Sequence, residues 1–185
     1  MVLSAAEAIV IKEGYAALNA RRIAKQIGYT VGSIYMVFTS MADLILHIKA
    51  RTLEDIALEL QQIPMLEPEQ GIEALARSYL NYANRNFNRW HMLFEYRQPK
   101  QNANVEWYQD KIDYVFSLAE NHFRHLAPER SESQIKRAAR ALWAGVHGIC
   151  VLSLSGSLDV VGVNDVEENV VLLVRSFIRG WIANI

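Results

Sequence analysis

The sequence predicts an all-α fold of about nine helices, in which a three-helix head containing a helix-turn-helix precedes a larger helical bundle. Apolar residues recur at three- and four-residue spacing through most of the 185 residues, the period of an amphipathic helix. Hydrophobic residues make up 51% of the chain and proline occurs only 4 times, as in well-packed helical proteins. No alternating run is long enough to indicate a strand. We expect residues 1–45 to form the head and residues 46–185 to form the bundle.

The first helix is predicted over residues 2–13. Leu3, Ala6, Ile9 and Val10 recur at helical spacing and define one apolar face. Gly14 follows and is expected to end the helix, because glycine readily leaves the helical conformation. This helix is expected to pack across the next two and complete the head.

Residues 19–38 predict two short helices joined by a tight turn. Asn19 is a favourable cap for the first of them, and Gly28 is expected to end it in the left-handed conformation. Thr30 is expected to cap the second helix, which Ile34 and Phe38 would anchor inward. Two amphipathic helices with this separation form a helix-turn-helix, whose second helix enters the major groove of DNA.

The outward residues of this motif suit contact with DNA. Gly32 lies in the first turn of the second helix, where glycine costs about 1 kcal/mol relative to alanine, so a close approach of the backbone to a partner would explain it. Basic side chains on the preceding helix suit phosphate contacts: Arg21, Arg22 and Lys25. The alternative is that Gly32 is neutral, Tyr35 is half-buried and the basic residues only solvate a helix face.

The run GYAALNARRIAKQIGYTVGSIYMVFTSMADL, residues 14–44, resembles the DNA-binding signature of the TetR (tetracycline repressor) family. The resemblance implies a homodimeric transcription regulator, usually a repressor, that leaves its DNA operator when a small molecule binds. On this basis the predicted DNA-binding residues are Arg21, Val31, Gly32, Ser33 and Tyr35.

Three positions depart from the family pattern. Met41 replaces a lysine that commonly contacts a phosphate, and Leu18 replaces a small hydroxyl residue. Val31 replaces a residue that is usually polar or proline, although an apolar side chain can still contact a thymine methyl group. Met41 and Val31 therefore leave open whether binding to an operator is weakened.

A linking helix is predicted at about residues 41–62 and can transmit movement between head and body. Five further helices are predicted after it. Proline in a favoured first-turn position opens the next helix at Pro68. Aromatic residues are dense from Phe87 to Tyr96 and return in the helix from Val105 to His125. Such density suits the lining of a small-molecule pocket, and hydrophobic core is an equal alternative. The remaining helices are predicted at residues 134–154 and 166–183, separated by a loop.

The segment WAGVHGICVL, residues 143–152, resembles the Trp-x-x-x-His-Gly signature of one class of TetR C-terminal domain. Trp143 and His147 are four apart on one helix face and Cys150 is three further on, so all three can face one cavity. A hydrogen-bonded core histidine is the alternative for His147. The predicted pocket residues are Tyr79, Trp90, Phe94, Trp107, Phe116, Trp143, His147 and Cys150.

The family resemblance also implies that the last two long helices form a four-helix dimer interface with a second copy. Leu173, Phe177 and Trp181 are four apart and form a stripe that a monomer would expose unless the helix packs within its own chain. The predicted interface residues are Leu142, Val146, Leu173, Phe177 and Trp181.

Charge and cysteine content fit a cytoplasmic protein that contacts DNA at one end. The net charge is −1, but residues 1–52 carry +3 and the remainder −4, a distribution that suits phosphate contact through the head alone. A single cysteine rules out an intrachain disulfide. No apolar run is long enough for a membrane span, and no signal peptide is recognisable.

The sequence offers little support for an enzyme, a metal site or a cofactor site. His147 and Cys150 lack a third orienting group. His122 and His125 have metal-compatible spacing but lack further ligands, and Ser155-Gly156-Ser157 lacks the lysine of a phosphate loop.

We therefore expect a ligand-responsive repressor that binds a palindromic, double-stranded operator as a homodimer. The alternative is a helical small-molecule-binding or scaffold protein that has lost operator recognition.

Overall fold

The computed structural model describes residues 1–64, 67–96 and 106–183, and every regular element in those ranges is helical. The helices are α1 (Val2–Glu13), α2 (Ala20–Ile27), α3 (Val31–Tyr35), α4 (Met41–Gln61), α5 (Pro68–Arg85), α6 (Phe87–Glu95), α7 (Glu106–Leu126), α8 (Glu132–Leu154), α9 (Ser157–Val160) and α10 (Val166–Ala183), with a 3₁₀ turn at Tyr15–Ala17. The predicted all-α class is confirmed. The four-residue α9 adds a tenth helix where a loop was expected.

The chain divides into two compact units. Unit 1 comprises Met1–Asp55 and Arg85–Ile112, and unit 2 comprises Ile56–Asn84 and Asp113–Ile185. The division falls within α4 and α7 and before the last residue of α5, so each of these helices contributes residues to both units.

The core of unit 1 joins α1 to the predicted helix-turn-helix. Its fully buried residues include Ala6, Val10, Ile23, Ile34 and Leu44. Helix α6 belongs to the same unit, because Met92 is completely buried in this core and the Asn88 Nδ2 donates to the Ile11 carbonyl at 2.9 Å. The predicted boundary at residue 45 instead assigns this aromatic segment to the bundle. Helices α6 and α1 are far apart in the sequence, so no local pattern indicates that they pack together.

Unit 2 is built around α8 and α10, which pack against each other. Leu173 of α10 approaches Gly145 of α8 so closely that an added Cβ would lie 2.9 Å from the Leu173 Cδ2. Helix α8 begins at Glu132, two residues before the predicted start at residue 134. Ser131 and Gln134 form a reciprocal capping box that fixes this earlier start.

Glu120 is a buried carboxylate in unit 2. It accepts from the Arg140 guanidinium at 2.7 Å and from Arg124 at 3.4 Å, and these two cations compensate the cost of burying its charge. In the described parts of the chain, no helix is long and apolar enough to cross a membrane.

Candidate nucleic-acid interface

Helix α2 begins and ends as its sequence predicts. The Asn19 Oδ1 accepts from the Arg22 backbone N–H at 3.0 Å, and this satisfies one of the open donors at the helix start. Gly28 adopts the left-handed conformation with φ 73°. The Tyr29 N–H then closes the end by donating to the Ala24 carbonyl at 3.0 Å. The turn that leads into α3 is thus fixed by backbone hydrogen bonds and by a glycine at the required position.

Helix α3 is anchored by two buried side chains, as predicted: Ile34 is fully buried and Phe38 is 7% exposed. Thr30 stands at the helix start, but its side chain does not cap a backbone N–H. Its Oγ1 instead lies 3.2 Å from the Ser33 Oγ. Ser33 is half-buried, whereas Gly32 and Tyr35 are exposed.

Two exposed residues beside this helix were not among the predicted DNA-binding residues. Met36 is 88% exposed and Val37 is 66% exposed. The Met36 N–H donates to the Gly32 carbonyl at 3.2 Å and the Phe38 N–H donates to the Ile34 carbonyl at 3.0 Å, so the helical turn continues beyond Tyr35. The helical period could have found Met36, because it lies two residues after the buried Ile34 and hence on nearly the opposite side. Val31 is half-buried and packs partly against the core of unit 1.

The basic residues of α2 divide into two groups. Arg22 forms an ion pair with Glu13 of α1, and its guanidinium lowers the pKa of the Glu13 carboxyl. Arg21 and Lys25 are exposed and form no ion pair within the described ranges, so their charges are available to phosphates.

The start of α4 has its own cap. The Asp43 N–H donates to the Ser40 Oγ at 3.1 Å, and the Asp43 Oδ2 accepts from the Thr39 N–H at 2.9 Å. Met41 is half-buried and packs against the core of unit 1. An apolar residue therefore suits this position in the chain, where the family commonly has a lysine that contacts a phosphate.

Two family models match the chain. The model for "Bacterial regulatory proteins, tetR family" matches residues 2–48. The model for "Tetracyclin repressor-like, C-terminal domain" matches residues 72–177, more than half of the chain. The chain belongs to the TetR family. As a TetR-family member it is a transcription regulator rather than an enzyme, and its N-terminal helices form the DNA-binding domain. No curated protein matches the sequence.

Solved structures with the same fold include a protein of unknown function from Rhodococcus sp. RHA1, with a TM-score of 0.78 and 20% identity over 97% of this chain and 92% of that one. BioQ, solved with its double-stranded DNA operator, has a TM-score of 0.70 and 18% identity over 98% and 96% of the two chains. PfmR from Thermus thermophilus, a TetR-family regulator, has a TM-score of 0.64 and 15% identity over 96% and 97%. At these identities the likeness concerns the fold.

Five of the eight predicted pocket residues lie in unit 2, and four of them form a chain of ring contacts. The Tyr79 hydroxyl lies 3.1 Å from the His147 Nδ1. The Trp143 ring stacks on His147 at 5.2 Å between centroids, and Phe116 meets Trp143 edge-on at 5.4 Å. Burial lowers the pKa of the His147 imidazole, so the ring is biased towards its neutral form.

Cys150, the fifth of these residues, is fully buried. Burial raises the pKa of its thiol to about 12. The reactive thiolate is therefore scarce at neutral pH, which fits a structural role for this cysteine.

The other three predicted pocket residues belong to unit 1. Trp90 is 1% exposed and meets Phe94 edge-on at 5.5 Å. Trp107 is 37% exposed and stacks on His47 of α4 at 4.8 Å. These three side chains thus contribute to the packing of α4, α6 and α7 in the unit that contains the DNA-binding helices.

The five predicted dimer residues all lie at least half-buried in unit 2. Leu142 and Val146 are buried, and Leu173 covers Gly145. Phe177 and Trp181 meet the Phe123 ring edge-on at 6.4 and 5.1 Å. Exposed residues recur at helical spacing on other sides of the same helices. We call these residues the α8–α10 outer face: Ala141, Ala144, Val151, Leu172 and Ser176.

His122 and His125 are the histidine pair of α7 with metal-compatible spacing. The His125 Nδ1 lies 2.7 Å from the Asn121 carbonyl. Across residues 1–64, 67–96 and 106–183, no group of three or more histidine, cysteine, aspartate or glutamate side chains could hold a metal ion.

Proposed function

We propose that this chain is a ligand-responsive transcriptional repressor of the cytoplasm that binds a palindromic operator as a homodimer and is released by a small molecule. The observation that carries the proposal is the orientation of α3, whose Ile34 is buried while Gly32 and Tyr35 are exposed. A helix anchored in this way can enter a major groove without unfolding its own core. The predicted contacts are Arg21 to phosphate and Val31, Gly32, Ser33 and Tyr35 at the groove.

The α8–α10 outer face supports the homodimer. Its members are small or apolar, and a Cβ built at the neighbouring Gly148 would meet no atom within 4 Å. Small exposed residues permit two helices to approach closely, and a twofold interface brings the same surface from each copy together. A twofold dimer places its recognition helices about 34 Å apart, or a multiple of that distance, and predicts a near-palindromic operator.

The ring contacts of Tyr79, Trp143 and His147 support a small-molecule effector. Aromatic walls with a few polar atoms are typical of ligand sites, and the Tyr79–His147 pair offers such atoms in unit 2. A compound that binds there and favours one body conformation would change operator affinity by about 5- to 150-fold. A screen of small molecules against the protein–operator complex tests this step. Compounds that bind the protein without ever releasing DNA would contradict it.

Selection of duplexes from a random library by the purified full-length chain tests operator binding. We expect an enriched near-palindrome, bound by two copies of the chain. The same selection with Tyr35→Ala serves as the control and should enrich less strongly. If no sequence is enriched while the protein binds small molecules tightly, the chain is a ligand-binding protein that has lost operator recognition.

A further inference from the structure

The recognition segment of this chain lacks the side chains that read bases by paired hydrogen bonds. Residues 29–38, YTVGSIYMVF, contain no arginine, lysine, histidine, asparagine, glutamine, aspartate or glutamate. Arginine and lysine pair with guanine, asparagine and glutamine with adenine, and carboxylates with cytosine. None of these bidentate contacts can come from this segment. The nearest amide side chain along the sequence is Gln26, on the preceding helix α2.

The hydroxyl groups of the segment are also partly engaged. Thr30 and Ser33 lie 3.2 Å apart and can hydrogen-bond to each other, which leaves them less able to select a base. Tyr35 is 47% exposed, and a single hydroxyl serves phosphates as well as bases. Hydrogen bonding from α3 thus carries little sequence information.

Two strongly exposed residues of the segment are apolar. Met36 is 88% exposed and Val37 is 66% exposed, and the hydrogen bonds that close the turn after Tyr35 fix their backbone. In the major groove, the apolar partner available to such side chains is the 5-methyl group of thymine.

We propose that this regulator reads its operator through thymine 5-methyl groups contacted by Met36 and Val37. This inference rests on the proposed operator binding and assigns the chemistry of that recognition. Each methyl group removed from contact should weaken binding about 4-fold, the equivalent of one buried CH₂ group. Removal of one methyl group from each half-site of a palindrome should weaken binding about 16-fold.

The test replaces single thymines of the selected duplex by deoxyuridine, which removes only the methyl group. A complementary series compares cytosine with 5-methylcytosine at the same positions, where we expect the methylated base to bind about 4-fold more tightly. Deoxyuridine outside the selected site controls for effects on duplex stiffness. Affinities are measured at one fixed salt concentration, because phosphate contacts respond strongly to salt.

Protein variants then connect the methyl groups to the side chains. In Met36→Ala or Val37→Ala, the loss caused by deoxyuridine at one position should shrink towards 1-fold. Val160→Ala is the matched control, because Val160 is 86% exposed on α9, in unit 2, and should leave the deoxyuridine effect unchanged. Met36 is so exposed that its truncation should not disturb folding, which circular dichroism can verify.

The two hypotheses fail in different ways. A selected duplex that binds equally well with thymine or deoxyuridine at every position overturns the methyl reading and leaves operator binding intact. Loss of all sequence preference in Gln26→Ala alone would likewise overturn the methyl reading and leave operator binding intact. If no duplex is enriched, operator recognition itself fails and the methyl reading fails with it.

Discussion

Packing within the chain does not require a glycine at position 32. Its φ is not positive, and a Cβ built there would meet the Thr30 Oγ1 at 3.6 Å, an ordinary contact distance. Alanine would fit and would favour the helix. The presence of glycine is therefore better explained by a partner that approaches the backbone.

Gly32→Ala should stabilise the protein and weaken DNA binding together. We expect the free energy of unfolding to rise by about 0.5 kcal/mol, since alanine is the better helix former, and the operator affinity to fall at least several-fold. Chemical denaturation and a binding titration measure the two effects. A variant that is more stable and binds DNA normally would remove Gly32 from the interface.

Arg21 is expected to act on phosphate rather than on a base. Arg21→Ala should weaken binding to all duplexes and reduce the salt dependence by about one unit of slope per copy. Lys136→Ala, an exposed change on α8, is the control for the loss of one positive charge. An unchanged slope in Arg21→Ala would exclude a phosphate contact.

Lys49 should make the free energy of unfolding depend on pH in the alkaline range. It is 7% exposed, its Nζ donates to the Tyr96 carbonyl at 3.2 Å, and burial lowers its pKa to about 8. Between pH 8 and the unfolded pKa of about 10.5 the unfolded chain binds more protons, so stability rises with pH across that window.

The comparison with Lys49→Met isolates this residue from other groups that titrate in the same range, such as Cys150. Relative to the variant, the wild-type free energy of unfolding should increase by about 2 kcal/mol between pH 7.5 and pH 10. Denaturation at a series of pH values provides the measurement. Parallel stability curves for the two proteins would show that the Lys49 pKa is not depressed.

At the scale of elements, α6 is held to the DNA-binding helices by a network of ion pairs. Arg89 contacts Glu7 of α1 at 2.8 Å and Asp55 of α4 at 2.6 Å, and its side chain is 11% exposed. Arg51, which is 41% exposed, also contacts Glu7 at 3.0 Å. The more buried cation should contribute more to stability, because solvent screens it less.

Arg89→Met should therefore destabilise the protein by about 3 kcal/mol, since it leaves the mostly buried Glu7 with poorer compensation. Arg51→Met is the matched control and should cost about 1 kcal/mol or less. Thermal unfolding of both variants tests the difference. Equal losses would mean that the network is no more than a set of surface pairs.

The elements also differ in how well the sequence predicts them. Local signals located α2 and α3 correctly, because Asn19, Gly28 and Ile34 act within a few residues of the features that they determine. No such local signal places Trp90, since α6 joins α1 through contacts between residues far apart in the chain, and its role in a ligand pocket stays a prediction. Periodicity identified the stripe Leu173, Phe177 and Trp181 as apolar but could not distinguish packing on Phe123 and Gly145 from packing on a second copy.

At the scale of the whole molecule, the proposed palindromic operator requires two copies joined through unit 2. Gly148 lies beside the exposed Ala144 and Val151 on α8, and a Cβ built there meets no atom of its own chain within 4 Å. A bulky residue at this position should therefore be harmless to the single chain and should separate the copies. Gly145 of the same helix offers the contrast, because a Cβ there would press on Leu173.

Gly148→Leu should yield a folded monomer whose affinity for a full palindrome falls to nearly that for a half-site. Its unfolding should be no easier than that of the dissociated wild type, since leucine favours the helix over glycine by about 1 kcal/mol. Gly145→Ala should instead lower the free energy of unfolding by at most about 2 kcal/mol, because overpacking against Leu173 costs about 1–3 kcal/mol and the helix preference of alanine recovers about 1 kcal/mol. It should have no specific effect on dimerisation. Sedimentation velocity and binding to one or two half-sites distinguish these outcomes. A Gly148→Leu protein that remains dimeric would exclude the surface around Gly148 from the proposed interface, because two copies could not approach closely around the added side chain.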